Sequence, residues 1–125
     1  FQSRLFKGNW FHLDPPRHLF FFSPKDFVHH MAEYGLSKIK EKHFSLEYNP
    51  YGWQQSILNK VFGKRDILYE HLKNNKIYVK DYSPLNLAVQ KLSLTLSIPF
   101  FVGQDVFDSI FRKGGTVEFI LQKKV

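Results

Sequence analysis

The sequence contains no cysteine and a single methionine, Met31. The absence of cysteine excludes disulfides, Cys-ligated zinc and a thiol nucleophile. It also removes any argument for an oxidising compartment, so the cytoplasm is the expected location. There is no G-x-G: the seven glycines are scattered at 8, 35, 52, 63, 103, 114 and 115. A Gly-rich loop of the kind that holds a dinucleotide or phosphate is therefore lacking. No run of 18 apolar residues exists either. The nearest, Leu85 to Val102, is interrupted by Gln90, Lys91 and Pro99 and is not expected to span a bilayer. The Phe20–Phe22 run is short and closely bracketed by Arg17 and Lys25, which does not fit a signal peptide. Internal repeats and low-complexity segments are also missing.

What is present is an aromatic, basic chain of 125 residues, enough for one domain. Hydrophobic residues make up 43% and charged residues 23%, an ordinary globular balance. Phenylalanine is the exception. Seven of the 14 lie within the first 27 residues (Phe1, Phe6, Phe11, Phe20, Phe21, Phe22 and Phe27). Left exposed, such a group would be adhesive, so we expect it to pack against something else. The formal net charge is +7. This reads either as a solvated basic surface or as a surface for an acidic partner. No DNA- or RNA-binding motif is present, so nucleic acid is not the expected partner. Lys38, Lys40 and Lys42 alternate, as on the solvent face of a strand.

Residues 1–22 read as irregular and are broken by Pro15-Pro16. Ser23-Pro24-Lys25-Asp26 is a helix start, with Ser23 as cap, Pro24 in the first turn and Asp26 as the acidic member of a capping box. The helix is predicted over 24–34 and ends at Gly35. Residues 37–48 read as a strand, with a bulge near Glu41–His43 because the apolar face switches between Ile39 and Phe44. A turn at 49–52 precedes a helix over 53–62. A short helix from Asp66 to Asn74 turns Ile67, Leu68 and Leu72 inward. Ser83-Pro84 opens a helix over 84–98 with Leu85, Ala88, Val89, Leu92 and Leu96 on its core face, although Leu92, Leu94, Leu96 and Ile98 also alternate as a strand would. Pro99 ends that element. A further short helix covers 105–112, and a strand covers 116–122.

The densest group of special residues is Trp10-x3-Asp14-x-Pro16-Arg17-His18-Leu19-x2-Phe22-Ser23-Pro24. After a helix and a strand comes Glu47-Tyr48-x-Pro50-x-Gly52-x2-Gln55-Ser56-x-Leu58-Asn59. Together these resemble the C-terminal part of class I S-adenosylmethionine-dependent methyltransferases, in particular bacterial type 11/12-like proteins. The match covers about residues 1–60. The last strand resembles that family's closing strand, and 64–105 corresponds to a variable helical insertion. The resemblance implies an α/β, Rossmann-like parent fold of which this chain is a single partial domain, 1–125, beginning past strand 5. In isolation that part is α+β, with an antiparallel pair (about 37–48 and 116–122) and four to five helices. The cofactor, S-adenosylmethionine, is implied for the parent. With the Gly-rich turn lacking, we expect none bound to this chain and an N-terminal cofactor-binding half elsewhere.

In several families of this class a histidine in the loop after strand 5 lies at the acceptor site, and the resemblance gives that position to His18. Imidazole suits proton removal from a small-molecule methyl acceptor, but His18 can equally be a structural residue. Arg17 either holds an acidic acceptor group or pairs locally with Asp14 or Glu47. Trp10 either stacks on the acceptor or fills the loop core. Gln55 and Asn59, four apart, form either an acceptor-facing polar patch or a helix-to-loop hydrogen-bond set. His29 and His30 cannot face one point on a helix, so no metal site is expected. The alternative to an enzyme part is an interaction domain that docks a protein or a membrane surface through basic and apolar helices at 84–111. A fragment beginning past strand 5 leaves strand 116–122 with an open edge, which leads us to expect a homodimer or larger assembly.

Overall fold

The computed structural model describes residues 1–123 and has five α-helices and a two-stranded antiparallel sheet. In chain order these are α1 (Gln2–Phe6), α2 (Pro24–Glu33), β1 (Leu36–Lys42), α3 (Asn49–Phe62), α4 (Ile67–Leu72), α5 (Pro84–Ile110) and β2 (Glu118–Lys123). The segment read as irregular contains α1 and two short 3-10 turns, Lys7–Asn9 and Phe11–Leu13.

Local chemistry accounts for most helix ends. Ser23 and Ser83 each accept from the backbone N–H three residues on, Asp26 at 3.1 Å and Asn86 at 3.2 Å, with proline following in the first turn. Asp26 receives the Ser23 hydroxyl at 2.6 Å instead of reaching the cap's backbone N–H. Helix α3 starts at Asn49, earlier than the 53–62 reading, because Pro50 fits its first turn. It stops at Gly63, whose φ of 72° favours glycine.

Strand β1 is shorter than predicted. It pairs with β2 from Leu36↔Lys123 to Lys42↔Glu118, and its irregularity falls between Lys38 and Lys40 instead of at 41–43. Beyond Lys42 the backbone bonds elsewhere. Asn49 Nδ2 donates to the His43 carbonyl at 3.0 Å, and the Ser45 N–H donates to Asp105 at 3.1 Å. These bonds draw 43–48 away from the ladder. Helix α2 closes over the sheet, with the Phe27 and Phe119 rings stacked at 5.2 Å.

Helix α5 departs furthest from expectation. It is one continuous helix through Pro99, where two helices were predicted. Proline removes one i→i−4 bond and costs about 3 kcal/mol in a helix interior. Pro99 sits on the exposed side, and buried contacts hold the helix on both flanks: Ser97 to Gln54 at 2.8 Å before it, and Phe101 against Trp53 after it. The buried face is also not the predicted one. Leu87, Gln90, Phe101, Asp105 and Asp108 are buried, whereas Leu85, Val89, Leu92 and Leu96 are exposed. Leu72 of α4 is likewise exposed, while Ile67 and Leu68 are buried as predicted.

The packing between α3 and α5 is strongly polar. Gln54 bridges Ser93 and Ser97 of α5, each at 2.8 Å. The apolar interior is split into two small groups. One holds Phe6, Trp53 and Phe101 with Trp10 and Ile57. The other holds Ile67, Val79 and Leu87 with Phe62, Tyr78 and Tyr82. At the junction of β1, α3, α5 and β2 lies Asn49, fully buried. It donates to His43 and to Asp105 Oδ1 (2.6 Å) and accepts from Thr116 Oγ1 (2.8 Å). Gly114 touches the same junction. A Cβ there would lie 2.1 Å from the His43 carbonyl oxygen, so only glycine lets the two backbones meet.

A candidate acceptor cleft

The 10–24 segment walls an open cleft of about 1250 Å³, together with residues around α1, the stretch after β1 and the loop leading into β2. The segment is held from behind. Arg65 donates to the Gly8 carbonyl and, at 3.0 Å, to the Trp10 carbonyl. The Phe11 N–H donates to Ser56 Oγ at 2.9 Å. The turn that follows places Asp14 in the left-handed region, φ 33°, which aspartate tolerates better than most residues.

Trp10 lines the cleft. Its ring lies 5.7 Å from Phe21 and 5.5 Å from His12, and its Nε1 reaches Gln2 Oε1 at 3.4 Å. His18 lines the same cleft, exposed, with its ring 6.1 Å from Phe21. Arg17 makes the local pair: its Nε lies 3.1 Å from Asp14 Oδ2, and its side chain remains 63% exposed. Gln55 and Asn59 are elsewhere, completely buried in α3. Gln55 accepts from Tyr51 and from the Tyr69 N–H and donates to Asn59. Asn59 holds the Asn9 carbonyl, Asp66 Oδ1 and the Asp66 N–H. Their polar groups are satisfied by the loops that α3 supports, and neither lines the cleft.

The structure adds two histidines that spacing did not single out. His12 is half-buried beside Trp10, with its Nε2 enclosed. Burial, and then the neighbouring charge of His18, lower its pKa to about 4, while a hydrogen bond to the Tyr48 backbone works the other way. His12 is therefore neutral at physiological pH. Its Nε2 has no hydrogen-bond partner and lies over Gly52, where a Cβ would stand 2.3 Å away. His43 is buried. It meets Glu41 at 2.6 Å and leaves its Nδ1 without a partner. Glu41 in turn is held down at about pH 2 by hydrogen bonds from Lys38 and His43. Neither histidine carried a recognisable motif; only the fold brings 12 and 43 to one cleft.

The cleft's charge is one-sided. Arg4, Lys42, Arg112 and Lys113 line it against one carboxylate, Glu118, which itself lies 4.0 Å from Lys42. Aromatic walls with basic groups suit a flat or apolar molecule carrying negative charge. A smaller hollow of about 260 Å³, lined by residues including Val79 and Leu87, is separate from this segment. Among the described residues no group of three His, Asp or Glu gathers as metal ligands do. The residues present also do not fit the S-adenosylmethionine cradle implied by the resemblance, since no Gly-rich turn occurs in the chain. No protein-family model, curated protein or solved structure matches this chain.

Proposed function

We propose that this chain forms the acceptor side of an S-adenosylmethionine-dependent methyltransferase, with the cofactor-binding turn supplied by another segment of the parent polypeptide. The observation that carries this reading is the placement of the 10–24 segment. The stretch with the family-like pattern is the one that walls the cleft and brings Trp10 and His18 to it. Trp10 and Phe21 supply apolar faces for the acceptor, and the basic lining favours an anionic one. His18, exposed to the cleft, takes the acceptor's proton. His12, neutral and half-buried, shapes the wall behind it.

Two measurements test the reading. Calorimetry on the chain alone is expected to detect no specific S-adenosylmethionine binding, and micromolar affinity would contradict the assignment of the cofactor cradle to another segment. In the parent protein, His18→Ala is expected to lower turnover about a hundredfold, the lower end of what a positioned acid–base group contributes, with cofactor affinity nearly unchanged. Unaltered turnover would leave His18 a structural residue and remove the proposed base.

A further inference from the structure

Helix α5 turns most of its large apolar side chains outward, and beside Leu87 and Phe101 its buried side holds three polar residues. Leu85, Val89, Leu92, Leu96 and Phe100 recur every three or four residues, Phe107 and Ile110 continue the strip after a seven-residue step, and each is more than half exposed. Gln90, Asp105 and Asp108 are buried on the other side. A helix on an ordinary water-soluble domain has the opposite polarity. At about 40 Å long, α5 presents an apolar strip larger than a solitary exposed leucine explains. By length and composition α5 could cross a bilayer. Its buried polar side, bonded to α3 at Gln54, argues instead for lying flat.

Charge identifies the occupant. The exposed face of α5 carries no acidic residue, because its two aspartates point inward. Lys76 and Lys80 precede the helix, Lys91 lies on it, and Arg112 and Lys113 follow it, all exposed. Among the described residues none of these five is in a salt bridge. A second copy of the helix would set lysine against lysine, with no opposite charge flanking the seam as paired helices use. A bilayer surface with anionic headgroups accepts both the apolar strip and the basic ends. We propose that α5 is an in-plane docking helix for an anionic lipid surface. This assignment does not depend on the methyl-transfer reading, although Arg112 and Lys113 also line the cleft.

The test is co-sedimentation of the whole chain with two kinds of vesicle: phosphatidylcholine alone, and an equal mixture with phosphatidylglycerol. Light scattering on the lipid-free protein accompanies it. Binding to the mixed vesicles is expected, weakened at least about tenfold on pure phosphatidylcholine or in high salt. Leu92→Glu with Leu96→Glu alters only exposed side chains and is expected to abolish sedimentation while leaving the circular dichroism spectrum unchanged. Lys80→Glu with Lys91→Glu is expected to weaken binding to the mixed vesicles about tenfold. Failure to sediment with either vesicle would overturn the proposal, as would undiminished binding by both double variants. A lipid-free dimer dissolved by Leu92→Glu and Leu96→Glu, with no vesicle binding, would assign the face to a second copy and overturn it too.

Discussion

Replacing Asn49 with leucine is expected to remove about 4 kcal/mol of stability, enough to unfold a marginally stable domain. Leucine shares asparagine's branched outline but carries bulkier methyl groups, so the loss combines unpaired polar groups with some overpacking. Three groups would lose the Asn49 partner: the buried His43 carbonyl, the buried Asp105 carboxylate, which keeps only the Ser45 N–H, and the half-buried Thr116 hydroxyl. Each neutral buried group left unpaired costs about 1–3 kcal/mol, and a charged one more. Burial raises the Asp105 pKa, so its carboxyl leans toward the uncharged form, against hydrogen bonds from Asn49 and Ser45 that favour the charged one. Asp105→Asn keeps size and removes the charge but sets its amide NH2 against one of the two donors, Asn49 Nδ2 or the Ser45 N–H, so it is expected to cost less than Asn49→Leu without being neutral. In thermal melts followed by circular dichroism, Asn49→Leu should lower Tm by about 15 °C or abolish the transition. A drop of only a few degrees would mean that the junction of β1, α3, α5 and β2 is solvated and does not hold the fold together.

Acid is expected to weaken the fold between pH 6.5 and about 4 through His12. Unfolded, the imidazole takes its proton near 6.5; folded, burial delays this to about 4. Between these values the unfolded chain binds more protons, so stability falls as pH drops through the window and its loss is complete below about 4. A shift of this size corresponds to about 3 kcal/mol. Glu41 acts in the same direction lower down, from 4.5 toward about 2. Asp66 and Asp105 act in the opposite direction, since burial raises both and the folded state holds their protons longer. The diagnostic quantity is therefore the difference between wild type and His12→Asn. In urea titrations over this range, His12→Asn should show a flatter pH dependence by about the same 3 kcal/mol. Parallel curves would mean that His12 is accessible enough to protonate in the folded state.

The elements legible in the sequence are those decided by a few neighbouring residues. Ser23-Pro24 and Ser83-Pro84 start helices because a hydroxyl and a fixed φ satisfy the first turn locally. Gly35 and Gly63 mark helix ends because they reach positive φ without strain. The alternation of Phe119 and Leu121 with Glu118 and Ile120 gives β2 its inner face without help from the rest of the chain. Trp10 and His18 reach the cleft from a segment conspicuous in the sequence, whereas His12 and His43 reach it only through long-range packing.

Tertiary structure decided what depends on a partner element. Hydrophobic spacing finds the two sides of α5 but cannot tell which faces inward. The polar side of α3, with Gln54, supplies hydrogen bonds only to the polar side of α5, and this inverts the expected orientation. The same contacts carry the helix across Pro99, which alone would end it. Gln55 and Asn59 were ambiguous because an exposed polar stripe and a buried hydrogen-bond network look alike along one chain. The loops at 9 and 66–69 that close over them turn the stripe into a buried network. Residue chemistry fixed the local geometry, and the choice of which surface meets water was made by the neighbours each element found.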